Sequence, residues 1–383
     1  MLFYKPGKNQ LEKILAYSSG KIDFYRGKGS SAEGYEIIDK KLLMDNFHAF
    51  VKKGFKIKNT GLTSGTTGTP GVFYRDIRSM AMEQYFQNKY FDWKGTTRIF
   101  FRGERIFDVN YTGDRIYREL PLIKEIYVSS FHVNDRTLAD LVEKLVQVRD
   151  KSLWAYPSSA YMLAEYCLRN GIKLDFKIIA VSSEVLMDYQ REIIEKAFGC
   201  KVKDWYGQAE RVAALIRCEH GNYHEMEDYS YVEYLPVGSN TYEIVGTTLY
   251  NRIMPIIRYN VHDLVEISPA ACPCGNKGKN IVKIHGRSNS YIELPNGKLH
   301  ETTLAFLFKG MDNVVEAQVV QKKDKTVLVK VVRAKGFSEE NHRTLSSHIA
   351  GFIPAELFRI EYADSIERDP RGKFRYVINE GIG

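Results

Sequence analysis

Residues 62–71 have the sequence LTSGTTGTPG, which is rich in glycine and hydroxyl side chains and has no hydrophobic period. Such a loop offers backbone N–H groups and hydroxyls, and phosphate oxygens are the natural ligand of these donors. The loop lacks the Gly-Lys-Ser/Thr ending of the P-loop, so the usual nucleoside triphosphatase interpretation fails. An ordinary polar surface turn would have the same composition, and at this point both interpretations stay open.

The chain around this loop alternates between helical and strand patterns. Short apolar runs that alternate with amphipathic segments are typical of an α/β protein with mixed, largely parallel sheets, which is the fold class that we predict. The predicted helices are residues 10–18, 41–53, 78–90, 138–148, 159–169 and 187–198, and the predicted strands are residues 97–102, 153–156 and 178–181.

The pattern changes to short strands and turns after residue 217, with strands predicted at residues 242–248 and 264–267. A compact α+β unit then follows, in which Ser338 is the expected cap of a helix over residues 338–349. Strands are predicted around that helix at residues 314–321, 326–333 and 357–363. We therefore place a domain boundary near Arg287, between a large N-terminal domain (residues 1–286) and a small C-terminal domain (residues 287–383).

Composition limits the class of protein. The chain has 383 residues, 44% of them hydrophobic and 27% charged, which are ordinary values for a soluble globular protein. We expect no membrane span, because no apolar run reaches about 18 residues. The first residues lack the pattern of a signal peptide, so we expect a cytoplasmic protein. The net charge of +8 is spread along the chain, which argues against nucleic-acid binding and suits an anionic small substrate.

Cysteine and histidine residues form one notable constellation. Cys218 and His224 precede the pair Cys272 and Cys274 by about 50 residues, with His220 as an alternative histidine. Thiolates and imidazoles in this number suit tetrahedral Zn²⁺, and a closed set of four protein ligands indicates a structural site. The alternative is a set of buried free thiols. Five cysteines in a chain without an export signal argue against a disulfide framework.

Residues 64–70, SGTTGTP, resemble the phosphate loop of the adenylate-forming enzymes, which include acyl-CoA synthetases, adenylation domains and luciferases. The Pro70-Gly71 ending, in place of Pro-Lys, is similar to the phenylacetate–CoA ligase branch, which also contains CapK-like proteins and coenzyme F390 synthetase. The resemblance implies an AMP-binding N-terminal domain and a mobile C-terminal lid. It also assigns the loop to ATP phosphates, with Thr67 counted as catalytic and the binding groups being Thr63, Ser64, Gly65, Thr66 and Gly68.

Two later segments resemble the nucleotide motifs of these enzymes. Residues 205–210, WYGQAE, are similar to the Tyr-Gly-x-Thr-Glu motif. The resemblance places Tyr206 near adenine with Gly207 and Gln208, and gives Glu210 a catalytic role as the Mg²⁺ ligand. Residues 255–263, PIIRYNVHD, resemble the motif whose final acid, here Asp263, holds the ribose hydroxyls.

Three further segments complete the resemblance. Residues 182–184, SSE, are similar to a segment that meets adenine, which assigns nucleotide contacts to Ser183 and Glu184. Residues 285–290, HGRSNS, resemble the interdomain hinge, where Arg287 would contact ribose or phosphate. Residues 369–373, DPRGK, resemble the segment of the catalytic lysine, here Lys373. Relatives of this branch also carry a similar cysteine and histidine set, which places a zinc-bearing insert at residues 217–275.

The resemblance implies an AMP-forming ligase. ATP and Mg²⁺ would convert a small carboxylic acid into an acyl-adenylate, and a thiol such as CoA, or an amine, would then take the acyl group. The chain departs from the pattern at residues 260–262, NVH, and at Asn289 and Ser290, which brings it closer to the CapK-like proteins. An AMP-forming amide ligase, a nucleotidyltransferase and a non-catalytic binding protein are the alternatives. We expect a monomer or a homodimer.

Overall fold

The computed structural model describes residues 9–55, 59–62, 71–104, 106–108, 111–288, 290–295, 297–304, 308, 313–369 and 372–381. The helices of these residues are α1 Gln10–Lys21, α2 Lys40–Asp45, α3 Phe47–Phe50, α4 Ile77–Phe91, α5 Asp135–Gln147, α6 Pro157–Arg169, α7 Asp188–Phe198, α8 Glu301–Leu304 and α9 Glu339–Ala350.

The strands of the same residues are β1 Asn59–Leu62, β2 Val72–Arg75, β3 Thr97–Phe101, β4 Tyr117–Leu120, β5 Glu125–Val128, β6 Lys151–Ala155, β7 Phe176–Ser182, β8 Val202–Gly207, β9 Ala214–Arg217, β10 Tyr223–Glu225, β11 Ser230–Pro236, β12 Thr241–Thr248, β13 Tyr259–Ser268, β14 Asn280–Arg287, β15 Tyr291–Leu294, β16 Gly297–His300, β17 Val314–Gln321, β18 Val327–Arg333, β19 Phe358–Ala363 and β20 Val377–Asn379.

Contacts between residues divide the chain into two compact units. Unit 1 contains residues 1–94 and 204–284, and unit 2 contains residues 95–203 and 285–383. Each unit therefore consists of two segments that are separated in the sequence. The boundary expected near Arg287 marks the start of the predicted mobile C-terminal domain. The division into two units does not test that motion, so the boundary stays a prediction.

Unit 1 is mainly antiparallel. Its strands follow the order β11-β12-β13-β14-β10-β9-β8, and antiparallel pairing joins β11 to β12, β12 to β13, and β10 to both β9 and β14. A separate hairpin pairs β1 with β2, from Asn59 opposite Arg75 to Leu62 opposite Val72. The glycine- and threonine-rich residues 63–70 connect the two strands of this hairpin.

The first part of unit 2 has a parallel sheet in the order β7-β6-β3-β5, with β4 added antiparallel at the edge. Amphipathic helices α5 and α6 connect its strands, and α7 follows β7. The apolar faces of these helices pack with the strands in one core, which includes Ile99, Leu141, Leu153, Leu163 and Ile179. Burial of both faces of the strands is what a parallel sheet requires.

The C-terminal part of unit 2 is a second, smaller sheet with the order β19-β18-β17-β20. Helix α9 packs on it through Leu345 and Ile349, and the side chain of Ser338 accepts a hydrogen bond from the Asn341 N–H, as predicted for the cap of this helix. The same core includes Met187, at the start of α7. The two parts of unit 2 thus share apolar contacts.

These observations confirm the predicted fold class, a mixed α/β protein with a smaller C-terminal sheet. The helix predicted over residues 41–53 is interrupted, because Asn46 leaves helical geometry (φ −115°, ψ 23°) and its side-chain amide donates to the Leu42 carbonyl at 3.0 Å. Asparagine competes for backbone hydrogen bonds in this way, and the result is two short helices, α2 and α3. Among the described residues, no helix has the length and apolar character to cross a membrane.

Candidate functional site

The predicted adenine and ribose residues meet in unit 1. Tyr206 lies near the end of β8, and Asp263 lies in the middle of β13. The Tyr206 hydroxyl donates to the Asp263 Oδ2 atom at 2.6 Å, and the Asp263 side chain is 7% exposed. A buried carboxylate needs such donors to remain ionised without a large cost. The hydrogen bond orients the Asp263 carboxylate relative to Tyr206.

The predicted Mg²⁺ ligand, Glu210, is buried in the same unit. The Tyr259 hydroxyl donates to the Glu210 Oε1 atom at 3.2 Å. The backbone beside Glu210 is fixed by Arg75, whose guanidinium donates to the Ala209 carbonyl at 2.5 Å. Arg75 ends strand β2, so the strand that follows residues 63–70 is tied directly to the segment that carries Glu210.

Arg75 belongs to a partly buried group of charges around Glu210. Burial lowers the pKa of Arg75 to about 10, with a contribution from Arg211, while Glu83 and Glu210 act in the opposite direction. Arg211 pairs with Glu83 at 3.4 Å. This arrangement balances two cations against two carboxylates, which is how charges are tolerated away from water.

Gln208, between Tyr206 and Glu210, closes the turn that carries them. Its side-chain carbonyl accepts from the Ala213 N–H at 3.2 Å, and its backbone carbonyl accepts from the Arg211 N–H at 3.1 Å. Arg211 has a left-handed backbone conformation, with φ 59°. Gln208 therefore supports the local fold, and its expected contact with the nucleotide stays a prediction.

The segment before Asp263 is held by hydrogen bonds that the motif pattern did not predict. Arg258 makes a bidentate pair with Glu233, at 2.9 and 3.0 Å, and also donates to the Tyr35 carbonyl at 2.8 Å. Asn260, one of the departures from the family pattern, donates to Glu243 at 2.7 Å and accepts from the His262 N–H at 2.8 Å. Through these contacts, Asn260 fixes the conformation of the turn before Asp263.

Lys373 lies on a tight turn in unit 2. The Asp369 side chain accepts from the Lys373 N–H at 3.0 Å, and the Asp369 N–H donates to the Lys373 carbonyl at 3.0 Å. Ser130 donates to the Gly372 carbonyl at 3.2 Å. Gly372 has φ 72°, and a Cβ atom there would lie 2.4 Å from the Ser130 Oγ atom, so only glycine fits this approach.

Ser183 and Glu184 follow strand β7 in the same unit. Ser183 has a left-handed backbone, with φ 75°, which turns the chain sharply before Glu184. The Glu184 Oε2 atom accepts from the Ser158 N–H at 3.1 Å, and its Oε1 atom accepts from the Phe374 N–H at 2.8 Å. Burial raises the pKa of Glu184, and these two hydrogen bonds oppose that rise.

Arg287 ends strand β14, and its carbonyl accepts from the Ser290 N–H at 3.0 Å. A Cβ atom on the preceding Gly286 would lie 3.4 Å from the Val185 Cγ2 atom, so this strand end is beside the segment of Ser183 and Glu184. The hinge residue Asn289 and the phosphate-loop residues Thr63, Ser64, Gly65, Thr66, Thr67 and Gly68 lie outside the described residues.

The four predicted zinc ligands converge in unit 1. The ligand atoms of Cys218, His224, Cys272 and Cys274 all lie within 4.8 Å of one another. The Cys218 and Cys272 sulfurs are 3.8 Å apart, and the Cys274 sulfur is 3.2 Å from the His224 Nε2 atom. Sulfurs at about 2.3 Å from a tetrahedral Zn²⁺ lie about 3.8 Å apart, so the set fits this ion.

The surroundings of the cluster suit metal binding. The His224 Nδ1 atom is 3.0 Å from the Lys279 carbonyl, to which its proton can be donated, and this directs Nε2 toward the three sulfurs. Burial raises the pKa of the Cys272 thiol, but hydrogen bonds from the Cys274 backbone and the Asn222 amide outweigh it and lower that pKa to about 6. His220 is half exposed and pairs with Glu219 instead, at 3.7 Å.

The structure thus brings the predicted residues together in groups. Tyr206 and Asp263 form one in unit 1, the cysteine and histidine cluster forms another there, and Glu184 and Lys373 lie on adjoining segments of unit 2. Sequence reasoning missed the supporting residues Tyr259 and Ser130. Tyr259 was available as a signal, because it lies within the motif that ends at Asp263, whereas Ser130 lies in no motif.

Comparison with known proteins supports the family resemblance that the motifs indicate. Residues 293–380 match the family model of the CapK C-terminal domain. The chain is 27% identical over 340 residues to protein CapK of Staphylococcus aureus, a match that covers 86% of this chain and 75% of CapK. It is 25% identical over 187 residues to phenylacetate-coenzyme A ligase of Thermus thermophilus, which covers 45% of this chain and 42% of that enzyme.

The crystal structure of 2-hydroxyisobutyryl-CoA ligase in the postadenylation state superposes with a TM-score of 0.70 at 16% identity, and the match covers 97% of this chain and 88% of the ligase. At this identity the likeness shows a shared fold. The chain is thus a homologue of CapK and of phenylacetate-CoA ligase, and it has the fold of adenylate-forming CoA ligases. The predicted resemblance is confirmed.

Proposed function

We propose that the protein is an AMP-forming ligase that converts a small carboxylic acid and ATP into an acyl-adenylate and pyrophosphate. The observation that carries the proposal is the hydrogen bond between Tyr206 and Asp263, beside buried Glu210. It joins the residues that the family resemblance assigns separately to adenine and ribose, and Glu210, which the resemblance assigns to Mg²⁺, is buried in the same unit. The homology to phenylacetate-coenzyme A ligase supports the same reaction class.

The residues of unit 1 would bind the nucleotide. The Tyr206 hydroxyl orients the Asp263 carboxylate, and a carboxylate accepts hydrogen bonds through both of its oxygens, so Asp263 would accept from the ribose hydroxyls. The Tyr206 ring, fixed by that hydrogen bond, would offer a flat surface to adenine, with Gly207 and Gln208 next to it. The hydroxyls and N–H groups of residues 63–70 would bind the phosphates, and β1 and β2 fix both ends of that loop.

Lys373 would stabilise the charge that develops when the substrate carboxylate attacks the α-phosphorus. A fixed cation is most effective when it needs no rearrangement during the reaction. The turn formed with Asp369 restricts the backbone of Lys373 before substrate binds. Arg287 would add a second positive charge toward ribose or phosphate.

Two metal ions fit the donor groups. Glu210 would hold Mg²⁺, which neutralises phosphate charge when bound. Cys218, His224, Cys272 and Cys274 would hold Zn²⁺ in a closed site, and a site without an open position has a structural role. The zinc would fix the loop between β9 and β10 to the loop between β13 and β14.

The second step would transfer the acyl group to a thiol or an amine. Homologous phenylacetate-coenzyme A ligase suggests CoA as acceptor, whereas the longer match to CapK favours an acceptor of the CapK-like proteins, for which we expect an amine. A nucleotidyltransferase would instead leave AMP on the product. The mass of the product separates these outcomes.

The test is carboxylate-dependent exchange of labelled pyrophosphate into ATP, with separate panels of aryl, fatty, hydroxy and amino acids. Exchange with one class is the expected result, and hydroxylamine should then trap the activated acyl group as a hydroxamate. Asp263→Ala is the matched inactive variant, and Asp364→Ala, which changes an exposed aspartate of the C-terminal part, is the control. An AMP-bearing product without hydroxamate would contradict acyl activation.

A further inference from the structure

We infer that Glu184 is a positioning residue for Lys373, because its carboxylate connects the backbone next to Lys373 to the first turn of helix α6. This inference rests on the proposed function, since it concerns the adenylation half-reaction. The family resemblance assigns Glu184 to the nucleotide. The structure shows instead that both of its oxygens accept backbone N–H groups, one from each of two separate segments.

The two donors come from different parts of unit 2. Ser158 is the second residue of α6, where backbone N–H groups have no partner within the helix, so a carboxylate is favoured there. Phe374 directly follows Lys373, and its N–H donates to Glu184 at 2.8 Å. Glu184 therefore fixes the position of the lysine backbone relative to the first turn of helix α6.

A second contact acts on the other side of the turn. Ser130 donates to the Gly372 carbonyl and accepts from the Gly103 N–H, at 3.2 and 3.0 Å. The residues before and after Lys373 are thus both bound to the part of unit 2 that precedes residue 203. A lysine side chain is long and flexible, so its ammonium group can be placed reproducibly only if its backbone is held.

The chemistry of Glu184 fits this role. A carboxylate accepts through both oxygens, whereas a glutamine side chain has one accepting oxygen and presents an N–H₂ group to the second donor. Glu184→Gln therefore removes one of the two hydrogen bonds and leaves one buried N–H group opposite another donor. A hydrogen bond to a charged group changes an equilibrium constant by about tenfold to a hundredfold, so the loss of one should be measurable.

The experiment compares Glu184→Gln with Glu195→Gln. Glu195 also accepts a backbone N–H in unit 2, from Val202 at 3.1 Å, but lies on α7 away from the lysine turn. We would measure pyrophosphate exchange, acyl transfer from preformed acyl-adenylate, and hydrogen–deuterium exchange of peptides that contain residue 374. Glu184→Asp, which keeps the charge with a shorter reach, serves if the glutamine variant is insoluble.

We expect Glu184→Gln to lower kcat for pyrophosphate exchange by about tenfold or more, with acyl transfer changed less than about twofold. Deuterium uptake at residue 374 should become faster than in Glu195→Gln. In a Lys373→Ala background the Glu184 substitution should have no further effect on adenylation, because it acts through Lys373.

An equal loss of both half-reactions, a higher KM for ATP at unchanged kcat, or a further loss in the double variant would overturn the inference and return Glu184 to nucleotide binding. If the unmodified protein showed no exchange with any acid, the proposed function would fail by itself. Deuterium uptake would still decide the contact, since equal uptake at residue 374 in both glutamine variants would refute it.

Discussion

Replacement of Cys272 by serine should release the metal and destabilise unit 1. The Cys218 and Cys272 sulfurs are already at the separation that a tetrahedral Zn²⁺ imposes, and a serine hydroxyl neither ionises near neutral pH nor reaches the same position. Zinc should therefore bind the unmodified protein at one ion per chain. Binding of the ion would be coupled to folding, because the four ligands come from two segments that are far apart in sequence, residues 218–224 and 272–274.

The size of the effect follows from burial. His224 is 2% exposed and Cys272 is 4% exposed, so loss of the ion leaves polar groups in the interior. Each buried group without its partner costs about 1–3 kcal/mol, which gives about 2–6 kcal/mol for two such groups. For a unit of this size, 1 kcal/mol corresponds to about 2–4 °C, so we expect Tm to fall by about 4–24 °C.

The assay is elemental analysis of protein purified from zinc-supplemented cells, combined with thermal unfolding. Cys200→Ser is the matched control, because Cys200 lies in unit 2 outside the cluster, and His220→Gln tests the histidine that the structure leaves out. Both controls should keep zinc and the Tm of the unmodified protein. Zinc-free unmodified protein, or a Cys272→Ser variant with normal Tm, would refute the coordination that we derive.

Three further predictions concern single side chains. Lys373→Ala should lower pyrophosphate exchange by about 10²–10³-fold but leave acyl transfer from preformed acyl-adenylate within about twofold, as measured in separate half-reaction assays. Tyr206→Phe should raise KM for ATP by about tenfold, because Asp263 loses an oriented donor at 2.6 Å, and Tm should change little. Burial raises the pKa of Asp204 from 3.8 to about 6, so the folded protein holds this proton more tightly than the unfolded chain. The contribution of Asp204 to stability is then present below about pH 4 and is lost as pH rises to about 6, and urea unfolding should show Asp204→Asn gaining about 3 kcal/mol relative to the unmodified protein over that range.

Each of these predictions has a result that would contradict it. If Lys373→Ala lowered the rates of both half-reactions equally, Lys373 would have no need to occupy different positions in the two steps. An unchanged KM in Tyr206→Phe would mean that Asp263 needs no orientation. A stability difference between Asp204→Asn and the unmodified protein that does not vary with pH would show that Asp204 titrates normally.

Elements with a strong local pattern could be predicted from the sequence. Strand β17 matches its predicted range, residues 314–321, and Ser338 caps α9 as expected, because alternation and capping depend on neighbouring residues. The short helices at residues 40–50 could not be predicted, since their interruption depends on the side chain of Asn46. The candidate zinc ligands, with His224 preferred to His220, could be named from the sequence, and the structure shows that their ligand atoms lie within 4.8 Å of one another.

The site residues show more clearly which contacts cannot be predicted from the sequence. Motif order names Tyr206, Asp263 and Lys373 as candidates, whereas the partners of Glu184 are two backbone N–H groups, and no side-chain pattern encodes a backbone donor. Contacts of that kind arise only when separate segments are brought together by folding.

The way in which the lysine turn is held has a consequence for the proposed two-step reaction. Glu184 and Ser130 bind its backbone through single hydrogen bonds, which contribute about 0.5–1.5 kcal/mol net between neutral groups and about 1.5–3 kcal/mol when the acceptor is charged. Such contacts define the position of Lys373 closely and still break at moderate cost. An apolar anchor of the same size would hold the turn but would resist release after adenylation. Polar anchoring of the backbone therefore suits a lysine that is needed in one half-reaction and must withdraw for the next.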